Sequence, residues 1–284
     1  MFNLFETNTT ALAVCLFILG LVVGSFINVV IHRLPTMLKR NWRRECLSFL
    51  EQEPEIDKIE HYNLAVPASH CPKCQHKIRM WENIPVISFL FLRGRCGKCQ
   101  NKISWRYPLV ELISAVVAMY IGIEFYATWE CVVALLFSWA MIALIFIDID
   151  EQMLPDVITL PILWLGLLIN SFNMFASVQD AIIGAIAGYL ILWSVSKGYY
   201  LLTKREGMGH GDFKLLAAIG AWIGWQSLPF VILIASAAGV IIGGGMLILS
   251  KQHRHTPIAF GPYLAIAGWI VMVWGGSWYY VIGV

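Results

Sequence analysis

Long uncharged apolar runs dominate this chain and alternate with short polar segments. Seven such runs come close to or exceed the about 20 residues that a helix needs to cross the hydrocarbon core of a bilayer. They cover residues 7–31, 107–128, 131–147, 157–179, 181–202, 215–250 and 256–284. The sixth run is too long for one crossing and contains the helix-breaking segment 225–229, so it predicts two helices, the first of them short. The pattern therefore predicts eight transmembrane helices.

Composition supports a membrane protein and excludes an ordinary soluble domain. Of 284 residues, 58% are hydrophobic and 13% are charged, and the mean hydropathy is +0.69. Soluble domains are roughly 45–50% apolar and about 25% charged. The net charge is only +2, and basic residues are not interleaved with aromatic ones in the manner of a nucleic-acid surface. We therefore expect an all-α polytopic membrane protein whose environment is the lipid bilayer and which binds no nucleic acid.

The positions of the basic residues predict the orientation of the helices. If the N-terminus lies outside, segments 32–106, 148–156, 197–214 and 251–255 face the cytoplasm, and all 20 Lys and Arg fall in these four segments. A seven-helix count would place segment 251–255 on the wrong side. The first run is too long for a signal-peptide core, so it predicts a retained span. Both termini are then expected in the periplasm.

A polar, basic segment separates the first helix from the other seven. It predicts a small cytoplasmic domain, which divides the chain into a first helix (1–31), this domain (32–106) and a seven-helix membrane domain (107–284). Within it the sequence CPKCQHKI at 71–78 returns as CGKCQNKI at 96–103. This internal repeat predicts two similar knuckles that face one centre.

The repeat carries the four cysteines Cys71, Cys74, Cys96 and Cys99. Two CxxC pairs supply the closed set of four thiolates that a structural zinc site requires. A disulfide pair fits poorly in a reducing compartment, and a thioredoxin-like redox motif needs only one CxxC. We therefore predict structural zinc. The remaining cysteines, Cys15, Cys46 and Cys131, are predicted to be small buried or free thiols.

Four carboxylates lie within residues 148–156, where the third predicted helix ends. Asp148 directly follows an uncharged run, so it is expected at the membrane boundary, where an acid is costly to bury. Asp150 and Glu151 can be solvated turn residues, and Asp156 suits the positive N-terminal end of the next helix. Asp148 is therefore the strongest candidate for chemistry in this run.

A second acid, Asp212, follows the glycine-rich stretch GMGHG at residues 207–211. The predicted topology places it on the same inner side as Asp148. Two neighbouring carboxyl groups cannot comfortably both ionise, so one becomes a base and the other an acid, which is aspartic-protease chemistry. Gly207, Gly209 and Gly211 are predicted to adopt unusual dihedral angles and to let a peptide approach. The alternative is that Asp212 is simply a helix N-cap.

The ordered motifs along the chain resemble those of the type IV prepilin peptidases, which are membrane aspartic proteases with a GxGD motif. The resemblance covers nearly the whole chain. It is carried by residues 24–35, both CxxC knuckles, 82–85, 106–111, the run 148–156, 209–214 and 260–263.

The resemblance implies an enzyme of the bacterial inner membrane whose active site faces the cytoplasm. Asp148 and Asp212 match the two catalytic aspartates, although the residues alone leave Asp150 open as the first of the pair. The implied substrates are type IV prepilins and the pseudopilins of type II secretion, which lose a short basic leader. Residues expected to bind the substrate or support the site are Asp150, Glu151, Asp156, Gly209, Gly211 and Lys214.

The resemblance also implies a second activity. Many members methylate the new N-terminal amine with S-adenosylmethionine, and the four-cysteine loop is associated with these bifunctional members. No methyl-donor fingerprint is recognisable in the sequence. Some residues are candidates only through the resemblance: Gly24, Glu82, Asn83, Arg106 and Glu111.

Two other functions remain open from the residues. A presenilin-type intramembrane protease shares the GxGD motif and two aspartates, but it lacks paired knuckles. A zinc-handling membrane transporter could use the CxxC pairs as a loading site, although all seven histidines fall in predicted loops or at their edges.

Overall fold

The computed structural model describes residues 9–51, 62–205, 207–249 and 259–282. Within these residues all regular elements are helical apart from two isolated β-bridges, so the predicted all-α class is confirmed. The α-helices are α1 (Thr9–Phe49), α2 (Ile87–Phe91), α3 (Arg106–Phe125), α4 (Trp129–Glu151), α5 (Asp156–Asn170), α6 (Val178–Thr203), α7 (His210–Ile223), α8 (Leu228–Leu249) and α9 (Gly261–Ile282). Each of the eight predicted membrane helices corresponds to one of these, and α2 is an extra short helix.

Five helical segments in the described part of the chain are long and apolar enough to cross a membrane. They are α1, α3, α4, α6 and the segment Trp225–Gly243. The 14-residue α7 confirms the prediction of a short sixth helix. At 1.5 Å per residue it spans about 21 Å, less than the about 30 Å hydrocarbon core. A 3-10 turn, Trp225–Ser227, separates it from α8 at the predicted break.

Helix α1 is longer than the sequence pattern predicts. It spans 41 residues to Phe49, so the predicted boundary at residue 31 lies inside it, and it continues through Pro35. The apolar run marks where the helix stops being hydrophobic, whereas Lys, Arg and Glu beyond it are good helix formers that prolong the helix in polar surroundings. Lys251 and Arg254, which belong to the predicted cytoplasmic segment 251–255, lie outside the described residues.

The chain forms two compact units, residues 1–143 and 144–284. In the first unit, α1 packs against α3 through small residues. A Cβ on Gly20 would stand 2.6 Å from the Cα of Ala115, and one on Gly24 would stand 2.7 Å from the Cα of Glu111. These glycines let the two helix backbones approach more closely than any side chain would allow, as is common between membrane helices.

In the second unit, α7 is enclosed by α5, α6 and α9. Its residues from 215 to 223 are all buried, as expected for a helix that is apolar on every side. Polar contacts fix its far end: Trp222 Nε1 donates to the carbonyl of Ile162 at 2.8 Å, and Asn170 Nδ2 donates to the carbonyl of Ala221 at 2.8 Å. The helix that carries Asp212 in its first turn is therefore held in place by its neighbours.

Candidate active site and thiol cluster

Asp148 and Asp212 come together at one end of the second unit. Asp148 lies in the last turn of α4, and Asp212 lies in the first turn of α7. Their exposed fractions are 5% and 8%, and the two carboxyl groups are close enough to interact electrostatically. Two buried acids from distant parts of the chain thus share one site.

Gly261 and Leu154 complete the surroundings of the two acids. The backbone N–H of Gly261, at the start of α9, donates a hydrogen bond to the Asp148 carboxyl group. The Leu154 side chain, in the connection between α4 and α5, packs against both Gly261 and Gly211. Neither Gly261 nor Leu154 was among the predicted site residues; Gly261 was noted only within the motif at 260–263.

The structure distinguishes Asp148 from Asp150 at this site. Asp148 is buried beside Gly261, whereas Asp150 and Glu151 are exposed. Two residues along a helix correspond to a rotation of about 200°, so their side chains lie on nearly opposite faces. Only one of the two aspartates can therefore face the interior. It is Asp148 that lies with Asp212.

The glycines before Asp212 do not behave as predicted. Gly209 has an ordinary extended conformation (φ −74°, ψ 145°), and Gly211 lies within α7, so the expectation of unusual dihedral angles is wrong for both. Gly211 is required by packing, because its Cβ would stand 2.9 Å from the Cβ of Leu154. A Cβ on Gly209 would meet only Oδ2 of Asp212, at 3.7 Å, so there is room beside that carboxylate.

The N-cap alternative for Asp212 is also wrong. The N-cap of α7 is Gly209, three residues earlier. The backbone N–H of Gly209 hydrogen-bonds to the carboxyl group of Asp212, and the backbone N–H of Asp212 donates to the carbonyl of Gly209 at 3.2 Å. The side chain of Asp212 is thereby held at the head of the helix.

Asp156 and Lys214 form an ion pair that ties α5 to α7. Lys214 Nζ donates to the two carboxylate oxygens of Asp156 at 2.8 and 2.7 Å. The run 148–156 contains no basic residue, but this lysine from 58 residues further along compensates the charge of Asp156. The carboxylate of Asp156 is therefore already paired with a cation of the chain itself.

The four predicted zinc ligands form a second cluster, in the first unit. Their sulfur atoms all lie within 4.8 Å of one another, and the Sγ–Sγ distances are 3.7 Å for Cys71 and Cys99 and 3.9 Å for Cys74 and Cys96. A disulfide would need about 2.05 Å. A tetrahedron with zinc–sulfur bonds of about 2.3 Å has sulfur–sulfur edges of about 3.8 Å, so the residues present fit zinc.

The two knuckles repeat each other in their backbone as well as in sequence. In the first, Cys71 N–H donates to the carbonyl of His76 at 2.9 Å. In the second, Cys96 N–H donates to the carbonyl of Asn101 at 2.8 Å, 25 positions further along. Matching β-bridges join His70 to Lys77 and Arg95 to Lys102. The predicted pseudo-symmetric pair is confirmed.

Each knuckle directs backbone N–H groups at its first thiol. Those of Cys74 and Lys73 lower the pKa of the Cys71 thiol to about 6. Those of Cys99 and Lys98 lower the pKa of Cys96. The fold therefore favours the thiolate form at the first cysteine of each knuckle, which is the form that binds metals.

Family models match both units of the chain. Residues 18–125 match the Bacterial Peptidase A24 N-terminal domain, and residues 135–244 match the Type IV leader peptidase family. The chain belongs to the type IV leader peptidase family. This membership agrees with the resemblance described above, and it argues against both the presenilin-type and the transporter alternatives.

Relatives of this leader peptidase family member are similar over nearly their whole length. A prepilin leader peptidase/N-methyltransferase of Pseudomonas aeruginosa is 54% identical over 93% of this chain and 91% of its own. The corresponding protein of Aeromonas salmonicida is 52% identical over 93% and 92%, and that of Legionella pneumophila is 45% identical over 92% and 91%. No solved structure matches the chain significantly.

The contact between Gly261 and Asp148 gives a test of the site in this family member. A Cβ on Gly261 would stand 2.5 Å from Oδ2 of Asp148, so Gly261→Ala must displace that carboxylate. A displacement of about 1 Å in an active site can lower the rate about a hundredfold, and we expect a loss of that order in the rate of leader removal.

The matched control is Gly239→Ala in α8. There the added Cβ meets nothing closer than 3.7 Å, so the rate should stay near that of the unchanged protein. Equal rates for both variants would show that Gly261 does not position Asp148.

Proposed function

We propose that this chain removes the short basic leader from type IV prepilins and the pseudopilins of type II secretion, and then methylates the new N-terminal amine. The observation that carries the peptidase assignment is the pair of buried carboxyl groups, Asp148 and Asp212, at one end of the second unit. Family membership and the names of the relatives support both activities.

Asp148 and Asp212 act as a base and an acid on one peptide bond. Two interacting buried carboxyl groups favour a state that holds a single proton. The ionised aspartate takes a proton from water while the water oxygen attacks the carbonyl carbon, and the protonated aspartate donates its proton to the carbonyl oxygen. The aspartate that took the water proton then passes it to the leaving nitrogen as the carbon–nitrogen bond breaks. The other aspartate takes a proton back from a hydroxyl of the tetrahedral intermediate, so the pair again holds one proton.

The surroundings of the pair suit a basic leader attached to an apolar helix. The exposed acids Asp150 and Glu151 lie in the same helical turn as Asp148 and carry the charge opposite to that of the leader. The distribution of Lys and Arg supports a site at the cytoplasmic face of the inner membrane, with both termini periplasmic. The scissile bond of such a substrate would lie at the same boundary.

The cluster of Cys71, Cys74, Cys96 and Cys99 holds structural zinc. The sulfur–sulfur distances fit closed tetrahedral coordination by four protein ligands, which leaves no position for substrate. The metal therefore stabilises the two knuckles and takes no part in proteolysis.

S-adenosylmethionine would supply an electrophilic methyl group. The amine nitrogen bonds to the methyl carbon as the carbon–sulfur bond breaks, and the electron pair of that broken bond stays on sulfur. The nitrogen then releases a proton to water. The name shared by the relatives, together with the four-cysteine loop, supports this second activity for the chain.

Product mass tests both activities in one experiment. The purified full-length protein in detergent is incubated with a type IV prepilin, with and without S-adenosylmethionine. We expect a product that lacks the leader in both samples, and one additional methyl group only where the methyl donor is present. An intact prepilin would overturn the peptidase assignment, and a cleaved but never methylated product would overturn the methyltransferase assignment.

A further inference from the structure

A cavity of about 510 Å³ lies inside the first unit. It is lined by residues of α1, α3, the segment around α2 and the two knuckles, and its volume falls within the roughly 300–1,000 Å³ of small-molecule sites. The aspartate pair belongs to the other unit. Neither aspartate is among the residues that line the cavity.

Two carboxylates line the cavity. Glu111 of α3 is 8% exposed; its Oε2 accepts the backbone N–H of Val86 at 2.8 Å, and it hydrogen-bonds the side chain of Ser25. The Glu82 side chain is 9% exposed, and its Oε2 accepts the backbone N–H of Arg79 at 2.8 Å. Oε2 of Glu82 also lies 3.6 Å from Nε2 of His76, which lines the same cavity. Carboxylates in the wall of a cavity can anchor a cationic or hydroxyl-bearing ligand.

Flat rings and an amide form another part of the wall. His32 of α1 and Tyr107 of α3 lie with their ring centroids 5.3 Å apart. Asn28, buried at 6% exposure, donates from Nδ2 to the carbonyl of Tyr107 at 3.0 Å. Aromatic rings offer faces on which a planar heterocycle can stack, and a fixed amide oxygen can accept from its edge.

The third part of the wall comes from the thiol cluster. Cys71 and Cys96, the first cysteine of each knuckle, line the cavity. Gly97 packs so closely that a Cβ there would stand 2.9 Å from Oε1 of Glu82. The geometry of the knuckles thus determines where one of the two carboxylates sits.

We propose that this cavity is the binding site for S-adenosylmethionine, with Glu111 and Glu82 as its charged anchors and the His32–Tyr107 side as the platform for the adenine. Each chemical group of this ligand has a counterpart in the wall. The planar heterocycle can stack on the aromatic rings, and the ribose hydroxyls can donate hydrogen bonds to the carboxylates. The two cationic centres, the sulfonium and the ammonium, are attracted by the carboxylate charges. The inference rests on the proposed methyltransferase activity, because this cavity would bind the methyl donor for that reaction.

Equilibrium dialysis of radiolabelled S-adenosylmethionine against the full-length protein in detergent tests the site. Glu111→Gln removes the charge but keeps an oxygen for the Val86 N–H, and we expect it to weaken binding at least about tenfold. The matched control is Glu124→Gln, an exposed acid on the same helix, which should bind as the unchanged protein does. Zinc content, measured on every variant, verifies that the knuckles are folded.

A second variant, and direct mapping of the residues that contact the bound donor, test the site even if the Glu111→Gln variant does not fold. Ser88→Trp fills the cavity from α2 and should abolish binding. Ultraviolet cross-linking of the bound donor, followed by peptide mass mapping, should label segments 25–33 and 69–111.

Each outcome has one meaning. Unchanged affinity in both variants, or a label confined to residues 144–284, would overturn this site while the methyltransferase function stood. An unchanged protein that cleaves prepilin but binds no methyl donor would instead overturn the methyltransferase function itself.

Discussion

Replacing Asp212 by Asn is expected to lower the rate of leader removal by roughly 10²–10⁴-fold, the contribution typical of a general acid or base. The amide has almost the shape of the carboxyl group but can neither take nor give the proton. Asp148→Asn should have an effect of the same size. The double variant should be little worse than either single one, because residues that act as a unit are not additive. The measurement is the initial rate of prepilin cleavage by purified protein.

Asp150→Asn is the matched control for Asp148→Asn. Asp150 is exposed and lies on the opposite face of α4, so its loss should leave turnover nearly intact while raising the prepilin concentration needed for half-maximal rate. Methylation of an already cleaved pilin verifies that the aspartate variants are folded. If Asp150→Asn were inactive and Asp148→Asn active, the assignment of the pair would be wrong by two residues.

The double variant Cys71→Ser, Cys99→Ser is expected to lose bound zinc completely. It leaves two thiolates where a closed structural site needs four ligands, and structural zinc contributes about 10–16 kcal/mol to the folding of small zinc-binding peptides. We therefore also expect the knuckles to unfold locally and to become sensitive to protease between residues 62 and 105. Metal content per chain and the rate of proteolysis are the two measurements.

Cys46→Ser controls for the general effect of losing a thiol. Cys46 is exposed and lies outside the cluster, so zinc content and protease resistance should not change. One equivalent of zinc retained by the double variant would remove the metal assignment, because the two remaining thiols cannot complete the site.

The helices and both acids could be predicted from the sequence because each leaves a local signal. An uncharged run of bilayer length predicts a helix, and Asp148 and Asp212 each lie beside such a run, where an acid is conspicuous. The end of α1 could not be predicted in this way, because hydrophobicity marks the membrane boundary whereas helix propensity continues through the charged residues to Phe49.

The contacts around the acids arise only from tertiary packing. Nothing local indicates that Gly261 packs on Asp148 or that Lys214 pairs with Asp156 across 58 residues. Nor does any local pattern indicate that Gly211 makes room for Leu154 and needs no special backbone angle. The similarity of the two knuckles could be predicted from the repeat at 71–78 and 96–103, because the same residue spacing allows the same backbone hydrogen bonds.

The meeting of α6 and α7 involves no side chain at its tightest point. Gly184 and Gly220 face each other so closely that a Cβ on either would collide with the main chain of the other. A single added methyl group would wedge the two helices apart, and Asp212 is carried by one of them, eight positions away. Loss of proteolysis can therefore originate at a residue outside the aspartate pair, and an inactive variant at Gly184 would report a shifted helix rather than a missing functional group.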